Sequence, residues 1–209
     1  MKKNKKLKEL IFPNKKINFF VTTVLLLGVL SGSIFLVMSN ELDKNSVITQ
    51  IQSFFQNIST NQIDNGLALK NSLIINYLFI GSIWILGLSM IGILINIFLT
   101  YLKGFLVGFS ISSIFLTYGS KGVLAALIYT VPSQILNILT TIMLSIYSIM
   151  FANNLLHIIT SKKNTNNRLM LKKYSVILML CIIIAFISSI LEVYLFPNIL
   201  KLVISFYIK

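Results

Sequence analysis

The chain has 209 residues, of which 56% are hydrophobic and only 11% are charged, and its mean hydropathy is +0.88. This composition excludes a soluble domain with a polar surface and is typical of a polytopic membrane protein. The net charge of +13 does not indicate nucleic-acid binding, because Lys and Arg cluster at the ends of apolar runs rather than in one patch. The lone Cys181 excludes an internal disulfide.

Residues 1–18 form a lysine-rich tail that is expected to stay in the cytoplasm. The apolar run 19–38 is long enough to cross a hydrocarbon core of about 30 Å and is predicted as the first transmembrane helix. A signal peptide cleaved near Ser31 is the alternative, but the run continues past that residue. Gly28 and Gly32 are therefore interpreted as a notch for helix packing.

Residues 39–71 are predicted as an extracytoplasmic loop. Within this loop, apolar side chains recur at helical spacing over 47–58, with Gln and Asn between them, which predicts an amphipathic helix. Its apolar strip either rests on lipid or on the bundle, or it docks an extracytoplasmic partner. The docking alternative assigns partner binding to Ile51, Phe54, Phe55 and Ile58.

Residues 72–209 are predicted to hold four further transmembrane helices. The first of these is expected over about 72–98, where Ser82, Ser89, Gly92 and Asn96 would share one inward face. The next apolar run, 103–118, is short and carries small residues at every fourth position. Such spacing lets two helix backbones approach closely in lipid.

A break is predicted at 119–132, where a glycine turn precedes a short half-helix over 123–131 and Pro132 begins the following span. That span carries a stripe of uncharged polar side chains that should face the bundle, either for hydrogen bonding between helices or to line a solute path. The residues predicted to pack between helices are Gly92, Gly104, Gly108, Ser112, Gln134 and Asn137.

The loop 160–173 is basic and contains no acid, so it is predicted to be cytoplasmic. The last span, about 174–196, ends before Pro197, and a short tail follows outside. The topology is therefore five crossings with a cytoplasmic N-terminus and an extracytoplasmic C-terminus. Glu192 is an acid inside this span, which indicates a function by default, although its position would also let it reach the interface or pair with Lys201.

The sequence contains none of the common hydrolase, phosphate-binding or zinc-binding motifs. We therefore expect no catalytic, cofactor-binding or metal site and no enzyme activity. The residues favour a membrane scaffold first and a small permease second. A permease would need a coordinating site near the midplane, often at broken helices, which the 119–132 break could supply.

The segment from Asn96 through YLKGFLVGF, the glycine turn and VPSQILNI resembles the stage II sporulation protein M family of endospore-forming bacteria. The basic N-terminus, the first span, the outer loop and the four further spans match the layout of that family over nearly the whole chain. The resemblance implies a membrane anchor at the sporulation septum. It also implies assembly with the D and P sporulation proteins, which degrade peptidoglycan during forespore engulfment.

The predicted fold is thus an all-α integral membrane bundle with about five transmembrane helices, a short half-helix and an outer amphipathic helix. The expected partners are the lipid bilayer and, from the resemblance, extracytoplasmic peptidoglycan hydrolases, with no nucleic acid. The small-residue faces also permit a homo-oligomer.

Overall fold

The computed structural model describes residues 13–60, 62, 64–89, 91–161 and 167–203. This part of the chain contains helices and no strand: α1 (Lys15–Met38), α2 (Glu41–Ser59), α3 (Asn65–Leu86), α4 (Gly92–Ser161), α5 (Asn167–Ile190), a π-helical turn (Leu191–Leu195) and α6 (Phe196–Val203). Five helical stretches within it are long and apolar enough to cross a membrane. The predicted all-α membrane bundle is confirmed. Residues 1–12 of the basic tail, 162–166 of the basic loop and 204–209 of the C-terminal tail lie outside the described residues.

Side chains of Asn and Asp set the starts of two spans. Asn14 Oδ1 accepts from the backbone N–H groups of Lys16 and Ile17, at 3.0 and 3.4 Å. Asp64 Oδ1 accepts from the backbone N–H groups of Gly66 and Leu67. The first N–H groups of a helix have no partner within it, so these caps fix where α1 and α3 begin.

A close backbone contact joins α1 to the first arm of α4, residues 92–118. A Cβ atom on Gly104 would overlap the carbonyl oxygen of Leu25, and one on Gly108 would overlap that of Val29. Gly28 and Gly32 of α1 likewise lie against backbone carbonyls of α4. Glycines on both helices therefore let the two backbones touch, which replaces the hydrophobic driving force that lipid does not supply.

Two hydroxyl contacts reinforce this crossing. Tyr101 donates to Ser31 Oγ at 2.7 Å, and Ser33 donates to the carbonyl of Gly108 at 3.3 Å. Phe105 and Phe109 pack against Phe35 at one side of the glycine contact, with ring centroids 5.6 and 6.5 Å apart. The contact is thus held by hydrogen bonds and aromatic packing as well as by close approach.

The main apolar core lies between α3, the second arm of α4 (residues 120–161) and α5. Tyr174 is fully buried in this core, and its ring packs near Trp84 and Phe151. Its hydroxyl donates to the carbonyls of Ile83 and Trp84, both at 3.1 Å. Because these carbonyls lie in the last turn of α3, the tyrosine hydroxyl ties the end of this helix to α5.

Helix α2 lies across one end of the bundle with its apolar face inward. Phe55 and Ile58 are buried there against Ile114 and Leu200, and the tilted ring of Tyr118 packs against Phe55 at a centroid distance of 4.9 Å. We call this the α2 end of the bundle. The opposite end carries the turn between α3 and α4 and the start of α5.

The prediction of one span over 72–98 was wrong, because α3 ends at Leu86 and α4 begins at Gly92. Ser89 Oγ accepts from the N–H of Gly92 at 3.0 Å, and a Cβ on Gly92 would overlap the carbonyl of Leu86. This turn consists largely of apolar residues, so hydropathy does not fall where the chain reverses. Ser82 and Asn96 consequently belong to different helices.

The predicted break at 119–132 is a kink at one residue. Gly119 has φ 58° and ψ −140°, a conformation that favours glycine. From Ser120 onward the helical backbone runs through Pro132, so the predictions of a separate half-helix over 123–131 and of a span beginning at Pro132 were wrong. The side chains of 121–131 lie outside the described residues.

The glycine contact predicts opposite effects for two alanine substitutions. Gly108→Ala should destabilise the protein, because its methyl group must displace the backbone of α1, and overpacking costs roughly 1–3 kcal/mol. Gly81→Ala should be neutral or stabilising by up to about 1 kcal/mol, because its Cβ meets open space and alanine favours helix. Thermal unfolding of the purified protein in detergent measures both. Equal melting temperatures for the two variants would contradict the glycine contact.

Candidate functional site between the helices

A group of polar side chains joins α3 to the end of α5. Ser72 donates to Glu192 Oε2 at 3.0 Å and lies 3.0 Å from Ser189 Oγ. Asn76, one turn further along α3, donates to Ser189 Oγ at 3.0 Å. The network holds the Glu192 carboxylate on the inner side of the helices, where it accepts a hydrogen bond from a neutral group.

Glu192 belongs to the π-helical turn, which has a local cause in the sequence. Pro197 has no N–H and cannot bond to the carbonyl one turn before it. Phe196 donates instead to the carbonyl of Leu191, five residues earlier, which widens the helix by one residue. Single π-helical turns of this kind occur frequently at functional sites.

Lys103 is the second charged residue of the site, and it comes from α4. At about 1.5 Å per residue, it lies roughly 16 Å along the helix from Gly92, well inside the first arm. Its ammonium lies 5.5 Å from the ring centroid of Phe79 on α3. A cation at this depth is costly in lipid unless it faces the inside of the bundle.

Lys103 and Glu192 line the same cavity, which has a volume of about 290 Å³. Its wall also includes Asn137 and Gln134 from α4, which are neutral and polar. The side-chain amide oxygen of Gln134 is shielded from solvent and accepts no hydrogen bond. The site therefore combines one cation, one anion and an unpaired acceptor within the bundle. Among the described residues there is no group of three His, Cys, Asp or Glu side chains that could hold a metal ion.

A second cavity of about 270 Å³ lies beneath α2 and is mostly apolar. Val47, Ile51 and Phe54 of α2 form one wall, and Phe109 forms part of the other. Ser110, Gln134 and Glu192 belong to both cavities. The polar cavity and the apolar groove are thus adjacent, and they share a wall at the α2 end of the bundle.

On the other side of Lys103, hydrogen bonds between helices fill the interior. Thr100 Oγ1 and Ser145 Oγ lie 2.8 Å apart, and both residues are buried. One turn further, Asn96 Nδ2 donates to Ser148 Oγ and to the carbonyl of Ile83. Ser145 and Ser148 of the polar stripe predicted from the sequence therefore form hydrogen bonds between helices. These bonds close the bundle between the cavity and the opposite end.

The four residues that the sequence suggested for partner binding have two different environments. Phe55 and Ile58 are buried against the bundle, as the alternative of a helix resting on the protein requires. Ile51 and Phe54 are half-buried and line the groove beneath α2. The apolar strip therefore faces inward, and the polar face of α2 is the one turned outward.

The residues predicted to pack between helices are also in different places. Gly104 and Gly108 touch α1, and Ser112 is half-buried one turn beyond them. Gly92 instead closes the turn against Leu86. Gln134 and Asn137 line the cavity. Their neighbours in its wall include Ser72, Asn76, Lys103, Ser110 and Glu192.

Sequence reasoning missed Lys103, because it placed this residue at the start of a span rather than inside one. The Ser89 to Gly92 capping pattern is the signal that would have moved the start of the span to Gly92. The α3 residues that bond to the end of α5 were also missed, namely Ser72, which donates to Glu192, and Asn76, which donates to Ser189. Their pairing depends on the relative rotation of two helices that lie more than one hundred residues apart in sequence.

Comparison with known proteins gives one match. The sequence model of the family described as Stage II sporulation protein M matches residues 21–197, which covers most of the chain and includes every residue of the cavity wall. No curated protein and no solved structure matches the chain.

The cavity predicts that a cysteine on its wall is reachable by a small thiol reagent. In a Cys181→Ser background, Ser110→Cys should react with a small methanethiosulfonate about tenfold faster or more than Ser145→Cys, because a thiol needs access and hydration to react as thiolate. Ser145 is the matched control, since it is a serine of the same helix that is 1% exposed. Equal rates for the two cysteines would show that the cavity is closed.

Proposed function

Because the chain belongs to the stage II sporulation protein M family, and is therefore a sporulation-related membrane protein, we propose that it anchors peptidoglycan-degrading proteins at the septal membrane. In this proposal the D and P sporulation proteins are the partners, and the hydrolytic chemistry belongs to them. The proposal assigns no catalytic group to the chain itself. Its work is to hold the hydrolases against the membrane during engulfment.

The observation that best supports an anchor is the fixed position of α2. Its apolar face is buried against Ile114, Leu200 and Tyr118, and this packing holds the helix against the bundle. The outward face then presents polar residues such as Thr49, Gln52 and Gln56, which are exposed. A pre-organised surface binds a partner at a smaller entropic cost than a mobile loop would.

The proposed topology puts α2 outside the cytoplasm, where peptidoglycan lies. The exposed Arg168, Lys172 and Lys173 at the start of α5 fall at the opposite end of the bundle, which we assign to the cytoplasm because basic residues are retained there. With five spans, the proposed topology puts the end of α6 on the same side as α2.

A small permease is the second candidate, and the cavity lined by Lys103 and Glu192 is the observation that favours it. A solute path must continue to both sides of the membrane. The buried pairs of Thr100 with Ser145 and of Asn96 with Ser148 occupy that continuation. We therefore favour the anchor, and solute uptake by the purified protein in liposomes would support the permease instead.

Topology is tested by two single cysteines in a Cys181→Ser background. Ser46→Cys on α2 should be labelled on intact cells by a membrane-impermeant maleimide, because this position is exposed and proposed to face outward. Arg168→Cys, which is exposed at the opposite end, should be labelled only after the membrane is opened. Labelling of position 168 on intact cells would contradict the proposed orientation.

Partner capture is tested on the outward face of α2. Gln52→Lys with Gln56→Lys should leave the fold within about 0.5 kcal/mol, because both side chains are exposed. It should lower co-purification of the D and P hydrolases by about tenfold or more, since two long charged side chains then intrude on the interface. The measurement is quantitative co-purification from sporulating cells.

The matched control is Thr60→Lys with Gln62→Lys, which adds the same charge just beyond the end of α2. This control should retain the hydrolases at the parental level. If the α2 variant also retains them, the outward face of α2 is not the docking surface. If the parental protein itself captures neither hydrolase, the anchor proposal fails.

A further inference from the structure

We propose that the cavity lined by Lys103 and Glu192 binds the headgroup of an ethanolamine phospholipid, which carries a phosphate and a primary ammonium and no further charge. The phosphate would lie at Lys103 and the ammonium at Glu192. This inference is independent of the proposed anchor role, because it rests on the cavity and its surroundings and not on any partner protein.

The first argument is that two opposite charges interact across the cavity without direct contact between them. Lys103 and Glu192 are both described residues, and they do not form a salt bridge. The contacts that the structure gives them are with neutral groups, the Phe79 ring for the lysine and the Ser72 hydroxyl for the glutamate. Separated charges within a membrane are stabilised by a ligand that carries both opposite charges.

The second argument selects among headgroups by their hydrogen bonds. The Glu192 side of the cavity offers acceptors, namely a carboxylate and the unpaired carbonyl of Gln134. A primary ammonium has three N–H donors and a positive charge, so it satisfies both. A choline group has the charge but no donor. A glycerol headgroup has donors but leaves the carboxylate without a counter-charge.

The third argument concerns access from the bilayer. Ile75 of α3 and Leu106 of α4 both line the cavity, and they are 64% and 50% exposed on the outer surface of the bundle. In a membrane such exposed apolar side chains face lipid. The cavity therefore opens between α3 and α4 on the lipid-facing side, and a molecule can enter it from the bilayer.

The size and neighbourhood of the cavity fit a headgroup rather than a whole soluble ligand. Its volume of about 290 Å³ is at the lower end of ligand sites. The adjoining groove beneath α2 is mostly apolar, with Ile51, Phe54 and Phe109 in its wall. Pockets between membrane helices that carry basic side chains are known to hold lipid headgroups.

The test is native mass spectrometry of the full chain in detergent with an equimolar mixture of phosphatidylethanolamine, phosphatidylglycerol and phosphatidylcholine of matched chains. We expect the ethanolamine lipid to be enriched among the bound species. This comparison needs no variant. Equal binding of the three lipids would overturn the proposal.

Two variants then assign the contacts. Glu192→Gln should reduce binding of the ethanolamine lipid about tenfold or more, to the level of the other two lipids, because one charge-assisted contact is lost. Lys103→Met should weaken the binding of all three lipids, because each of them carries a phosphate. Lys70→Met, which removes an exposed lysine on α3, is the control and should match the parental protein.

Circular dichroism and gel filtration verify that the variants remain folded. A folded Glu192→Gln protein that still prefers the ethanolamine lipid would overturn the assignment of the ammonium. Binding of water-soluble phosphoethanolamine tests whether the site recognises a lipid headgroup or a free solute with the same charged groups. If it binds while the lipid is not enriched, the site belongs to a free solute and the lipid proposal is wrong.

Discussion

A bilayer core supplies no hydrogen bonds, so each polar group within it must find its partner in the protein. This constraint explains most of the interior of the bundle. Thr100 meets Ser145, and the Tyr174 hydroxyl meets the last carbonyls of α3. Lys103 and Glu192 depart from this pattern, because they line one cavity without forming a salt bridge and their direct contacts are with neutral groups. Such a departure indicates a site rather than a scaffold contact.

The close contact of α1 with α4 through glycines is the second feature that shapes the bundle. Because lipid is as apolar as the side chains, the helices associate through close contact rather than through burial from water. Gly104 and Gly108 allow that contact, and the first arm of α4 is thereby held in place. This arm carries Lys103 toward the cavity and Ile114 toward α2. One crossing therefore positions both the cavity and the surface that we propose for partners.

The sequence predicted the class of fold, the first span, the amphipathic helix and an interruption that begins at Gly119, because each of these has a local signal. Runs of apolar residues, helical spacing and a glycine are sufficient for them. The division between the second and third spans was lost, since the turn after Leu86 remains apolar. That single error moved Lys103 from the interior of a helix to its edge. The contacts of Glu192 with α3 could not be predicted, because they depend on how two distant helices are rotated.

Cryo-electron microscopy of the chain in a lipid nanodisc, with a bound antibody fragment to add mass, tests the central claim most directly. The account predicts that the chain turns between Leu86 and Gly92, and that Lys103 and Glu192 face one cavity within the membrane. An unbroken helix through residue 98, with Lys103 at the membrane edge and away from Glu192, would contradict it.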